Sequence, residues 1–118
     1  MSNRTLRVNV LLQRELSDIL RKHHQTEAVT LTVTEVRVAP DLRDARVFVS
    51  IVGDETHVTG RLRWLRQQSA AIRRELSRRI VLKFLPKLTY VLDQSAQRGA
   101  RLGQLLDELD HPPSGEES

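Results

Sequence analysis

Along residues 4–22, Val8, Leu12, Leu16 and Ile19 recur every three or four positions, with Arg14, Asp18, Arg21 and Lys22 between them. That spacing puts one apolar stripe on a helix and the charges off it. His23-His24-Gln25-Thr26 ends the period. From Ala28 to Ala39 the chain is dense in Val and Thr, branched residues that suit strands. Leu31 and Val33 share one phase and Val36 and Val38 the other, so the alternation slips by one at Glu35, as at a β-bulge. Pro40-Asp41-Leu42-Arg43-Asp44 is turn chemistry, and Ala45 to Val52 reads as a second strand with Val47, Val49 and Ile51 on one face. The two strands form an antiparallel hairpin.

Gly53-Asp54-Glu55-Thr56 breaks the strand and offers caps for a helix starting near His57. Val58, Leu62 and Leu65 line its face; a second stripe then begins at Ile72 and continues through Leu76 and Ile80. The residues between the stripes are small and polar, which makes Gln68-Ser69-Ala70-Ala71, centred on Ser69, Ala70 and Ala71, a candidate kink between two helices. Pro86 closes the stretch, Leu88 to Leu92 forms a third strand, and Leu102, Leu105, Leu106 and Leu109 mark a last amphipathic helix. The order, α-β-β-α-α-β with an added C-terminal helix, predicts an α+β layer: a three-stranded sheet with helices on one face. Residues 1–110 are expected to form a single domain and residues 111–118 a disordered tail.

At 118 residues the chain can bury a core without staples. With aromatics at 3%, that core must rest on Leu, Val and Ile. The absence of cysteine removes disulfides, thiolate zinc sites and cysteine nucleophiles. No apolar run approaches the roughly 20 residues that span a bilayer, and the first residues carry charge too soon to read as a signal peptide. A cytoplasmic, monomeric protein is the expectation. Net charge is +4, unevenly spread. From Arg61 to Lys87 run nine arginines and lysines opposed only by Glu75, whereas the C-terminal end holds Asp107, Glu108, Asp110, Glu116 and Glu117. Such asymmetry points to a polyanion-facing side, or to a solvated basic face.

The element order looks like a type II KH domain, and the chain resembles the bacterial ribosome-binding factor A family. The similarity is carried by Arg7-Val8, Glu15 to Leu20, Val33 to Val38, Asp41-Leu42, Ala45 to Ser50, Ile72 to Leu76 and Leu85 to Asp93. It implies a non-enzymatic factor, without cofactor, that binds the free small (30S) ribosomal subunit and assists late maturation of 16S rRNA, often in connection with growth in the cold. KH domains usually grip RNA with a Gly-x-x-Gly loop. In this family an Ala-x-Gly interhelical kink takes its place, and the matching positions here are Gln68-Ser69-Ala70. Alanine at the glycine position carries a steric cost if the kink needs positive φ, and serves if it needs only close helix approach.

Arginine presents a planar fork to phosphate oxygens, and a helix start beside it adds backbone N–H donors. Arg63, Arg66, Arg73, Arg74 and Arg78 are therefore the expected RNA-binding surface, extended by Lys83 and Lys87. The same arginines would also suit an adaptor that docks an acidic protein partner. Arg79 lies near the apolar stripe and is expected to lie over the core. Trp64 stacks on a base or covers the core rim, while Phe48 and Tyr90 are structural. His23-His24, with His57 and His111 in unrelated segments, lacks metal-ligand spacing, and no catalytic signature occurs.

Overall fold

A computed structural model of the chain describes residues 3–94. The proposed C-terminal helix and the 111–118 tail lie outside the described residues. Helix α1 (Asn3–His23) buries its expected stripe, with Leu12 at 0% exposure and Leu16 and Ile19 at 1%. Strand β1 (Leu31–Val38) starts three residues later than the Val/Thr density suggests. Ala28 to Thr30 belong to a turn instead: the Ala28 N–H donates to His24 C=O and the Leu31 N–H to Ala28 C=O. Those bonds reverse the chain between α1 and β1, and a strand there could not make that reversal.

β1 pairs antiparallel with β2 (Asp44–Ile51), Leu31 opposite Ile51 and Val38 opposite Ala45. The register shifts between Val33 and Glu35, where the alternation of the sequence slips. Thr34 is the extra residue; its hydroxyl donates to the Asp93 carboxylate and lies 3.2 Å from Phe48 C=O. The bulge lets Val33 and Val36, three positions apart, both face the core.

Helices α2 (Glu55–Gln67) and α3 (Ser69–Arg79) form the crossover to β3 (Lys87–Leu92), which pairs parallel with β2 and completes the sheet order β1-β2-β3. α2 begins two residues before the expected start: Asp54 caps it, its carboxylate accepting from the His57 N–H at 2.7 Å. Gly53 makes the preceding turn with φ +152, and a Cβ there would lie 2.5 Å from the His57 ring. That ring is fixed by a 2.8 Å hydrogen bond between its Nε2 and Thr30 Oγ1.

The core lies between the helices and one face of the sheet. Val47, Val49, Leu65 and Leu76 are fully enclosed. Phe48 alternates with Val47 and Val49, so it stands on the opposite, open face, half-buried under the Arg37 guanidinium at 5.5 Å. α1 closes the outer edge of β1 with two side chains: Asn9 Oδ1 accepts from the Val38 N–H at 2.8 Å and Gln13 Nε2 donates to Thr34 C=O at 3.1 Å. A strand edge satisfied in this way is a poor template for pairing with another chain.

Candidate nucleic-acid interface

α2 and α3 are separated by Gln68 alone, with φ −86 and ψ 2. The helical ψ is about −42, so this single rotation redirects the axis. Hydrogen bonding nevertheless continues through the break. The Gln68 N–H is shared between Trp64 C=O (3.0 Å) and Leu65 C=O (3.1 Å), and Gln68 C=O accepts from the Ile72 N–H at 2.9 Å. Within the candidate kink Gln68-Ser69-Ala70-Ala71 the break falls at Gln68, and Ser69, Ala70 and Ala71 make the first turn of α3. Among the described residues only Leu42 is a non-glycine with positive φ, so the bend asks no left-handed conformation of Ala70. Ala70 and Ala71 are exposed and short, so the backbone at the start of α3 is approachable from solvent.

The seven basic residues divide into two groups. Arg66 and Arg73 turn toward β3. Arg66 Nη2 donates to Tyr90 C=O at 2.9 Å, and the Arg73 guanidinium donates to the carbonyls of Leu85 (2.7 Å) and Pro86. One bond satisfies a carbonyl of β3 and the others two carbonyls of the segment leading into it, much as Asn9 and Gln13 satisfy groups of β1. No sequence signal marks this role, because the partners are backbone oxygens distant in the chain. Arg63, Arg74, Lys83 and Lys87 are exposed, and their charged groups make no ion pair among the described residues. Arg78 is exposed too, 3.5 Å from Glu75.

Between α2 and the end of β3 runs a groove of about 400 Å³, lined by Thr59, Leu62, Arg63, Arg66, Gln67 and Leu92. Two half-buried leucines and two arginines make it amphipathic, a surface suited to a base or sugar beside its phosphate. Thr59 and Gln67 were not evident from sequence, being polar positions of an ordinary helix.

Below α3 the chemistry is structural. Arg79, 18% exposed at its side chain, reaches Glu15 (3.3 Å) and Asp18 on α1 and Glu75 (3.3 Å) on its own helix. The Arg79 hydrogen bond, aided by Arg21 and Lys22 against the opposing effect of burial, holds the Asp18 carboxyl down at about 2. The same contacts raise the Arg79 pKa. Tyr90 is 3% exposed and its hydroxyl makes no well-formed hydrogen bond. Burial pushes it up to about 12, with the Ser69 side chain and the Arg73 charge pulling the other way. Trp64 is half-buried against the core, edge-on to His24 at 5.3 Å and under Arg61 at 5.8 Å, which answers to the rim role. Among the described residues, no group of three His, Asp or Glu stands ready for a metal ion, and no helix is long and apolar enough to cross a membrane.

The family model of ribosome-binding factor A matches residues 4–106. The chain belongs to the ribosome-binding factor A family. It is 62% identical to ribosome-binding factor A of Opitutus terrae, covering 98% of this chain and 97% of that protein. Against the factor of Akkermansia muciniphila it is 38% identical, covering 93% and 87%. The crystal structure of ribosome-binding factor A from Thermus thermophilus is 25% identical and superposes with a TM-score of 0.66, over 75% of this chain and 94% of that one. A homology model of the Thermus thermophilus factor, fitted into a cryo-EM map of its complex with the 30S subunit, gives a TM-score of 0.62 at 25% identity over 74% and 92%. The α+β architecture read from the sequence, three helices on a three-stranded mixed sheet among the described residues, is that of the ribosome-binding factor A structures.

Proposed function

We propose that this chain binds the free small (30S) ribosomal subunit and assists late maturation of 16S rRNA, as a cytoplasmic monomer without cofactor or catalytic step. The observation that carries the reading is the pair Arg63 and Arg74, exposed on either side of the α2–α3 break and without an ion partner among the described residues. Family membership supplies the ribosomal context, since a homology model of a relative has been fitted into the cryo-EM map of its 30S complex. In this reading Arg63, Arg74 and Arg78 meet phosphates around the kink and Lys83 and Lys87 extend the contact. Arg66 and Arg73 hold β3 in place and lend their remaining N–H groups to the same surface.

The test is sedimentation of extracts from growing cells, followed by binding of the purified chain to free small subunits and to naked 16S rRNA. The chain should travel with free small subunits, and Arg63→Ala with Arg74→Ala should weaken binding at least about tenfold while the fold persists. Absence from that fraction, or undiminished binding by the double variant, counts against the site. Binding to an acidic protein with no affinity for the rRNA would instead establish the adaptor reading.

A further inference from the structure

Where the start of α1, the β1–β2 turn and the segment after α3 meet, a separate pocket of about 190 Å³ opens. Its apolar lining includes Leu42, Phe84 and Pro86; its polar lining is Arg4, Arg43 and Lys83 against the single carboxylate of Asp41. That carboxylate is engaged within the turn, accepting from the Arg43 N–H at 3.0 Å. The three cations make no ion pair among the described residues. Phe84, one of only two phenylalanines, is 71% exposed, and Lys83 Nζ stands 5.7 Å from its ring centroid. Leu42 takes φ +62, a conformation a branched side chain rarely adopts, and structure over-determines it from both sides: its own N–H donates to Ala39 C=O, and Lys87 N–H donates to Arg43 C=O. The carrier of Phe84 is held as firmly, because Arg73 grips the carbonyls of Leu85 and Pro86.

We propose that this pocket takes one unpaired nucleotide of RNA, its base stacked on Phe84 and its phosphate held among Arg4, Arg43 and Lys83. An exposed ring offers any base a π-face, while three cations without ion pairs around a pocket that admits part of a nucleotide suit the adjoining phosphate. A continuous duplex keeps its bases stacked, so the pocket selects single-stranded or looped RNA. The inference rests on the RNA-binding reading and adds to it a base contact outside the α2–β3 groove. Arg73 then joins the two surfaces, fixing the Phe84 segment to the helix that begins at the kink.

The experiment compares a short single-stranded RNA, the same RNA with one abasic position moved stepwise along it, and a blunt RNA duplex, all at fixed salt. Phe84→Ala should weaken the single strand roughly tenfold and leave the duplex unchanged, and Phe84→Tyr should retain binding. An abasic position at the stacked site should weaken the native chain and cost Phe84→Ala nothing further. Circular dichroism of both variants checks the fold. Equal weakening of single strand and duplex, or none, overturns the pocket while the kink surface stands if Arg63→Ala with Arg74→Ala still loses both. Loss confined to intact subunits, with naked RNA unaffected, assigns Phe84 to a protein contact and overturns the proposal. Native binding of no RNA at all sinks the wider reading with it.

Discussion

Tyr90 shows how a single side chain carries both packing and chemistry. Its ring fills the core side of β3, yet its hydroxyl is buried without a well-formed partner. The folded pKa, about 12, lies above the ordinary 10, so the unfolded chain releases the proton first as pH rises. Stability from this group is whole below pH 10 and should fall between pH 10 and 12 by roughly 2–3 kcal/mol. Tyr90→Phe should remove that component of alkaline unfolding and stay within about 1 kcal/mol at pH 7, because it deletes a hydroxyl with little to lose. Denaturant titrations at stepped pH measure both. The polar half of the residue was invisible in the sequence, where Leu88-Thr89-Tyr90-Val91-Leu92 reads only as strand.

Among the elements, the α2–α3 pair repays the closest reading. Two helical stripes, ending at Leu65 and resuming at Ile72, made a break legible within Gln68 to Ala71, but not which of those residues carries the pivot. Periodicity reports where apolar faces change, and no side chain at the break itself needs to be apolar. With Ala70 inside the first turn of α3, Ala70→Gly should cost about 0.5–1 kcal/mol in chemical denaturation. A stabilising glycine there would show that the position prefers positive φ. Arg73→Ala should cost roughly 2 kcal/mol through the orphaned Leu85 and Pro86 carbonyls, a loss that Arg74→Ala does not share. The α1–α3 clasp titrates at the acid end. Asp18 is held at about 2 against an ordinary 3.8, so its contribution is present above about pH 4 and is lost as pH falls toward 2. Asp18→Asn should abolish that part of the acid transition, read from unfolding midpoints between pH 5 and pH 2.

Among the described residues, polar side chains from the helices reach both outer edges of the sheet, and cations without ion pairs stand at the kink and at the Phe84 end as well as elsewhere, at Arg7 and Arg46. RNA affinity should therefore fall with salt at a log–log slope near −0.7 to −0.9 per phosphate contact. Removing Arg63 and Arg74 together should flatten the slope by about 1.4–1.8, as measured by titrating RNA across a salt series. An unchanged slope would place the phosphate contacts elsewhere on the chain.

The linear pattern was enough for the element order from α1 to β3, the bulge near Glu35, the buried stripes and the family, since each depends on residues close in sequence or on periods of two and 3.6. It also located the excess of arginine. What it could not apportion was the work of each arginine. A guanidinium bound to a distant carbonyl and one facing solvent are the same letter, and only tertiary contact separates Arg73 on Leu85 and Pro86 from Arg74 beside it. The same holds for Arg79, whose carboxylate partners on α1 lie 61 and 64 positions away. Local chemistry selected the residues; folding, by satisfying buried carbonyls and carboxylates first, decided which cations remain for a partner.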